Sequence, residues 1–165
     1  MEIKEALEKR FSCRKFKDEK ITEDELYQIL EAARLAPTAC NYQPQRIYVV
    51  ENPNLLEQLK EATKYTFNAK TILVICHDSE VSWHRKDNVD FGSVDSAIVA
   101  TQMTLMATSL NIGSCFVCSM NPVKIKEILG LKDSYVVDIL LPIGYKDEDK
   151  MHNTRKDLDS LVVRR

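Results

Sequence analysis

The stretch Ser93-Val-Asp-Ser-Ala-Ile-Val-Ala-Thr-Gln-Met-Thr-Leu-Met-Ala-Thr-Ser-Leu110 decides the fold. Val94, Ala97, Ile98, Val99, Met103, Leu105, Met106 and Leu110 recur along a helix but surround it on all sides. A helix that is apolar all round leaves no face for water, so it belongs in a core or at an oligomer interface. Asn111-Ile-Gly113 follows, a composition suited to the left-handed residue that closes a helix. The other elements are expected to gather around this one.

On either side of it, helical and extended patterns are mixed. Ile3, Ala6 and Leu7 mark a short N-terminal helix. Thr22-Glu-Asp-Glu25 is a capping box, and Leu26, Ile29, Leu30 and Ala33 follow at helical spacing. Asn52-Pro53 and Asn121-Pro122 each open a further helix, the second closing at Gly130. Ile47-Tyr-Val-Val50 reads as a strand, and Thr71-Ile-Leu-Val-Ile-Cys76 as a strand buried on both faces. The segment 77–90, which holds Trp83, is polar and reads as a surface loop. Residues 114–119 read as strand-like, and 135–144 as a strong strand in which Pro142 suggests an end or an edge. The first strand comes only after two helices, so the expectation is α+β, with a mixed or antiparallel sheet flanked by helices, rather than plain βαβ alternation. With no repeat and no boundary in composition, residues 1–165 are expected to form one domain.

Between the second helix and the first strand lies Arg34-Leu-Ala-Pro-Thr-Ala-Cys-Asn-Tyr-Gln-Pro-Gln45. Pro37 and Pro44 fix their own backbone angles and should push Ala36 and Gln43 towards extended geometry. The loop then presents Thr38, Asn41 and Gln43, whose side chains both donate and accept hydrogen bonds. That suits a planar ligand with polar edges.

Composition narrows the field. Lys and Arg number 23 against 25 Asp and Glu, a net charge of −2, so no nucleic-acid partner is implied. The apolar stretches fall short of a membrane span, and the charged opening Met1-Glu-Ile-Lys-Glu is no signal peptide, so a cytoplasmic protein is expected. Five cysteines in mostly apolar surroundings read as reduced. The four glycines allow neither G-x-G-x-x-G nor a Walker A loop.

Arg10-Phe-Ser-Cys-Arg14 is the second informative stretch. Two guanidiniums flanking a hydroxyl can grip a phosphate, and arginine's fork does so in bidentate fashion. Alone, basic residues here would simply complement the end of the first helix. Together with an amide-rich loop for a planar edge, they describe a site for a mononucleotide-type cofactor.

At this point the chain resembles the nitroreductase family of FMN-dependent oxidoreductases. The family pattern R-x-S-x-R-x-F stands as Arg10-Phe-Ser-Cys-Arg-Lys-Phe16, and L-x-x-I-L-E-A-A-R-x-A-P-[ST]-x-x-N-x-Q-P runs from Leu26 to Pro44. Later landmarks are a central helix beginning at Asp95, Leu110-Asn-Ile-Gly-Ser-Cys115 and Leu140-Leu-Pro-Ile-Gly-Tyr145. The resemblance implies that Arg10, Phe11, Ser12 and Arg14 hold the FMN phosphate end. It implies that Pro37, Thr38, Ala39, Asn41 and Gln43 lie against the flavin from the partner subunit of a homodimer with two interface flavins. It further implies roles for Asp95, for the backbone at Cys118 and Ser119, and for a tail cation at Arg155. The long helix 93–110 would then lie at the dimer interface. The implied chemistry is ping-pong: NADH or NADPH reduces the flavin, and a nitroaromatic, quinone or similar acceptor reoxidises it. No protein group is nominated as catalytic, because the cofactor carries the chemistry. The same motifs would serve a flavin carrier without turnover.

Two departures concern the substrate. The family often has an aromatic residue where Gln45 stands, and the short segment 78–92 leaves little room for a helical excursion over the site. Cys115-Phe-Val-Cys118 is not read as a redox pair, since alternation along an extended run would send its side chains to opposite faces. No metal site is expected.

Overall fold

Four strands form one antiparallel sheet in the order β1-β2-β4-β3: β1 (Gln45–Val50), β2 (Thr71–Asp78), β3 (Ile112–Ser114) and β4 (Tyr135–Tyr145). Among the described residues five α-helices flank it: α1 (Ile3–Lys9), α2 (Glu23–Arg34), α3 (Pro53–Leu59), α4 (Gly92–Ser109) and α5 (Pro122–Leu129). The computed structural model describes residues 1–149 and 154–165.

Alternation along β2 builds two cores. Leu73 and Ile75 face α2 and α4, with Ile139, Leu141 and Ile143 of β4 beside them. Ile72, Val74 and Cys76 face the other way, towards α3 and α5, with Val137 and Leu140. Every residue of β2 is buried, as its continuous apolar run requires once helices cover both faces.

The local signals act as expected. Thr22 and Glu25 form a reciprocal capping box on α2. Asn52 and Asn121 accept backbone N–H groups at the starts of α3 and α5, each followed by proline. Asn111 is left-handed at φ +62° after α4, and Gly130 at +61° after α5.

Four expectations need correction. β2 runs on to Asp78, so His77 is buried in the sheet and does not belong to a surface loop. Regular strand structure stops at Ser114; beyond it the chain keeps only a bridge from Val117 to Leu140 and a bond from Cys115 N–H to the Pro142 carbonyl. Pro142 lies in β4, between β2 and β3, neither at an end nor at an edge. N and O of one extended residue point the same way, so its nitrogen faces the side where β3 has just ended. No ladder bond to β2 is lost. Gln43 is left-handed at φ +52° despite the following proline, as are Cys40 at +50° and Asn41 at +56°.

Helix α4 buries Asp95, Ser96, Val99, Ala100, Met103, Thr104, Ala107 and Thr108 against the sheet and α2. Its opposite side leaves Val94, Ala97 and Thr101 exposed. The apolar surround therefore divides in two, one half filling the core of this chain and the other unpartnered in it.

Candidate active site

Residues 10–14 leave the end of α1 and run beside the end of β3. Ser12 bridges Ser114 in parallel, and Cys13 N–H donates to the Ser114 carbonyl at 3.0 Å. Buried Cys13 is pressed on Gly113, where an added Cβ would come within 2.7 Å of its sulfur. Burial pushes the Cys13 thiol up to about 11. This packing fixes the backbone and turns the Arg14 side chain outward, where it is exposed.

Arg14 lines a cleft of about 180 Å³ with Tyr65, Phe67 and the run 115–119. Thr63 Oγ1 donates to the Ser119 carbonyl at 2.8 Å and anchors the far wall. The Cys115 thiol lies beneath; burial raises its pKa, against the opposing pull of the Arg14 guanidinium, the Ser12 hydroxyl and Arg10. Cys115 is buried and Cys118 exposed, so neither sequence spacing nor the fold makes them a pair. Among the described residues, neither Arg10 nor Arg14 takes part in a salt bridge within 4.0 Å. The Arg14 backbone N–H, however, donates to Glu148. Phe11 is half-buried, with Lys146 Nζ 5.9 Å from its ring centre.

The 37–43 loop is held at the other end of α4. Ala39 N–H donates to Asp95 Oδ1 at 2.8 Å, and Gln43 N–H to Thr38 Oγ1 at 3.1 Å. Gln43 Nε2 reaches the Asn41 carbonyl at 3.2 Å. Three left-handed residues at φ above +50° or at it, Cys40, Asn41 and Gln43, turn the loop outward, with Pro37 and Asn41 exposed. Such clustered backbone strain is held in place by its surroundings and is common at ligand sites. Asp95 is 1% exposed, and its Oδ2 has no partner among the described residues. Gln45, opposite His77 in the β1–β2 register, likewise has a buried Oε1 without a partner.

The two stretches therefore do not meet in one chain. The loop sits at the first turn of α4 and residues 10–14 beside Gly113, past its last turn. The 18 residues of α4 span about 27 Å at 1.5 Å per residue. Arg155 is exposed, and its described hydrogen bond stays within the tail, to the Thr154 carbonyl at 2.9 Å. Among the described contacts none joins it to residues 10–14. Sequence reasoning passed over Tyr65 and Phe67, which line the cleft, and Glu148, which accepts the Arg14 backbone N–H; the fold alone brings them there. A larger depression of about 360 Å³ beside α3 holds Lys20, Lys60 and Lys70, but these already pair with Glu51, Glu57 and Asp18. Among the described residues there is no cluster fit for a metal ion. No helix among them is long and apolar enough to cross a membrane.

An antiparallel sheet between two helical layers, with an open cleft beside Arg14 past one end of α4 and a strained polar loop at the other, is an α+β fold that places two polar stretches at opposite ends of one helix. The sequence model described as Nitroreductase family matches residues 7–69 and 64–145, and the chain belongs to that family. A nitroreductase family protein of Clostridium difficile 630 superposes with a TM-score of 0.94 at 32% identity, over 99% of this chain and 98% of that one. An FMN-dependent nitroreductase of Clostridium difficile R20291 gives 0.82 at 30% identity, over 96% of each chain. A relative from Thermus thermophilus named NADH dehydrogenase is 27% identical, over 99% of this chain and 96% of its own length.

Proposed function

We propose that this chain is an FMN-dependent NAD(P)H oxidoreductase that works as a homodimer. The observation that carries the reading is the Arg14 cleft, lined by a guanidinium that takes part in no salt bridge among the described residues, by Tyr65 and Phe67, and by the irregular run 115–119. Arg10, Ser12 and Arg14 would take the phosphate, using charge-assisted bonds that lysine could not make in bidentate form. Cys118 and Ser119 would offer main-chain polar groups to the ring edge, since regular strand pairing has ended before them.

The cleft of about 180 Å³ is too small to enclose a nucleotide-sized ligand, for which a closed pocket is larger, about 300–1,000 Å³. A second copy completes it. If two α4 helices pack head to tail through Val94, Ala97, Ile98 and Thr101, the partner's 37–43 loop arrives at the Arg14 end. Pro37, Thr38, Ala39, Asn41 and Gln43 then close the site from the other side. The FMN-dependent nitroreductase from Clostridium difficile R20291 supports the cofactor. Held there, FMN would supply two-electron redox chemistry between NADH or NADPH and a nitroaromatic, quinone or similar acceptor. A shallow shared cleft takes donor and acceptor in turn, which gives ping-pong kinetics.

The test is the visible spectrum of the purified protein, followed by FMN titration and NAD(P)H oxidation with a nitro or quinone acceptor. A colourless protein that FMN does not reconstitute sinks the proposal. Bound FMN without turnover would leave a carrier.

A further inference from the structure

We propose that His77 is a positioning residue for this site: clasped between Asp138 and Asp90, it fixes the first turn of α4 and, through Asp95, the 37–43 loop. The consequence for the cofactor rests on the flavin reading above; the mechanical link does not.

The geometry begins with an irregularity in the sheet. Ile75 pairs with Ile139 but Cys76 with Val137, so Asp138 is an extra residue, a β-bulge in β4. Without the bulge, alternation would put Asp138 on the same face as Leu140, under α5. With it, the carboxylate turns to the α4 side, a re-aiming that bulges commonly provide. There Asp138 accepts from Ser93 Oγ at 2.6 Å and from Ser96 Oγ at 2.7 Å. His77 Nδ1 stands 2.8 Å from Asp138 Oδ2, and Nε2 stands 3.2 Å from Asp90 Oδ2. A neutral imidazole has one N–H and one lone pair, so a ring facing carboxylate oxygens on both sides is satisfied only as imidazolium. Burial opposes that charge, yet Asp138 and Asp90 together outweigh it and raise the His77 pKa.

The helix is then locked to the ring. Asp90 Oδ1 accepts the Gly92 N–H at 2.8 Å, and a Cβ on Gly92 would lie 2.1 Å from His77 Cδ2. Only glycine lets α4 start this close. Three hydrogen bonds thus join the first turn of α4 to the two carboxylates that His77 bridges. Asp95 lies in that same turn and holds Ala39 N–H. Losing the proton from His77 would aim a lone pair at one carboxylate and leave two like charges across a neutral ring.

The groups facing His77 from its neighbours are few. β4 supplies Asp138, the 79–91 segment supplies Asp90, and α4 supplies the neutral Gly92, Ser93 and Ser96. From β1 the register partner is the neutral Gln45. Beyond these, His84 Nε2 lies 3.9 Å from the same Asp90 oxygen, and Asp78 follows His77 in β2.

The test is two-dimensional NMR on the full-length protein without FMN, from about pH 5.5 to about pH 9.5, following the His77 ring and the Ala39 amide. Both should move with one midpoint, above the ordinary histidine value of about 6.5. Asp90→Asn should lower the two midpoints together, and His77→Gln should abolish the Ala39 transition. His84→Asn should leave it in place. An Ala39 amide that stays flat while His77 titrates overturns the proposal, and Asp90→Asn decides it if His77→Gln does not fold. In a parallel FMN titration, affinity should weaken about tenfold across the same transition. A pH-independent affinity overturns the link to the cofactor. Absence of FMN binding at every pH counts against the flavin reading, and the Ala39 amide still decides the role of His77.

Discussion

The backbone N–H of Ala39 donates to Oδ1 of Asp95 at 2.8 Å, across 56 residues of sequence, and ties the strained loop to the core helix. Asp95 is 1% exposed and Ala39 half-buried, so the bond is held from the core side. Asp95→Ala should cost about 1 kcal/mol by removing this hydrogen bond, and should weaken FMN binding as the loop loosens. Asp95→Asn keeps an acceptor for Ala39 and should lose much less of both. Melting curves and FMN titrations of the two variants check this. Normal FMN affinity in Asp95→Ala would remove the loop from the cofactor seat.

Arg14 is exposed and, among the described residues, in no ion pair, so its side chain does little for the fold. A charge-assisted hydrogen bond contributes about 1.5–3 kcal/mol, roughly ten- to a hundred-fold in affinity. Arg14→Ala should weaken FMN binding by that factor and leave the melting temperature nearly unchanged. Unchanged FMN affinity refutes the phosphate role.

Glu148 introduces a competition at the same place. It accepts the Arg14 backbone N–H and so sets a carboxylate beside the residue proposed to hold the phosphate. Like charges close together repel, and the phosphate would have to displace or tolerate this one. Glu148→Gln should therefore tighten FMN binding several-fold, most at low salt, because screening weakens the repulsion at higher ionic strength. Titrations at two salt concentrations measure it, and weaker binding in the variant would make Glu148 a support of the site.

Much of this arrangement was legible in the sequence because it is local. The capping box at Thr22, the Asn-Pro helix starts, the left-handed Asn111 and the apolar run of β2 each follow from a few adjacent residues. The two stretches proposed to hold the cofactor are likewise short and contiguous, so their chemistry could be read residue by residue. What sequence patterning misses is non-local. Pro142 looks like an edge residue until β3 is seen to end just where its missing N–H would matter. His77 looks like the start of a polar loop, because its burial depends on Asp138, 61 residues away and re-aimed by a bulge. Strict alternation assigns Asp138 to the wrong face, and no single-residue propensity announces the extra residue. Gln43 departs from the usual geometry before proline because the Thr38 hydroxyl holds its N–H in a tighter turn.

The exposed half of α4 gives a test of assembly. Val94 is 49% exposed in this chain, so a charge there should not disturb the monomer's core. In the proposed dimer Val94 is covered, and a carboxylate would be buried without a partner, which costs several kcal/mol. Val94→Asp should therefore yield a folded monomer by light scattering, with FMN binding lost along with the partner's loop. A dimer that persists, or a monomer that still binds FMN tightly, contradicts the shared site.

Stability should fall as the solution becomes alkaline, and the sign follows from His77. Burial pulls its pKa down, but the hydrogen bond and charge of Asp138 and the charge of Asp90 hold it above the ordinary value. In the unfolded chain it titrates near about 6.5. Between that value and the raised one, the folded protein keeps a proton that the unfolded chain has lost, so unfolding becomes easier as pH rises. The contribution is complete below about 6.5 and gone above the folded pKa. Buried Cys13 and Cys76, pushed up to about 11 and about 12, add a fall of their own. That second fall starts only where unfolded thiols ionise, near about 8.5, which separates the two effects. Urea unfolding midpoints measured below that limit should decline with pH, and Asp90→Asn should flatten the decline by bringing His77 closer to its ordinary value. A midpoint that holds constant across this window would mean that His77 carries no proton in the folded state.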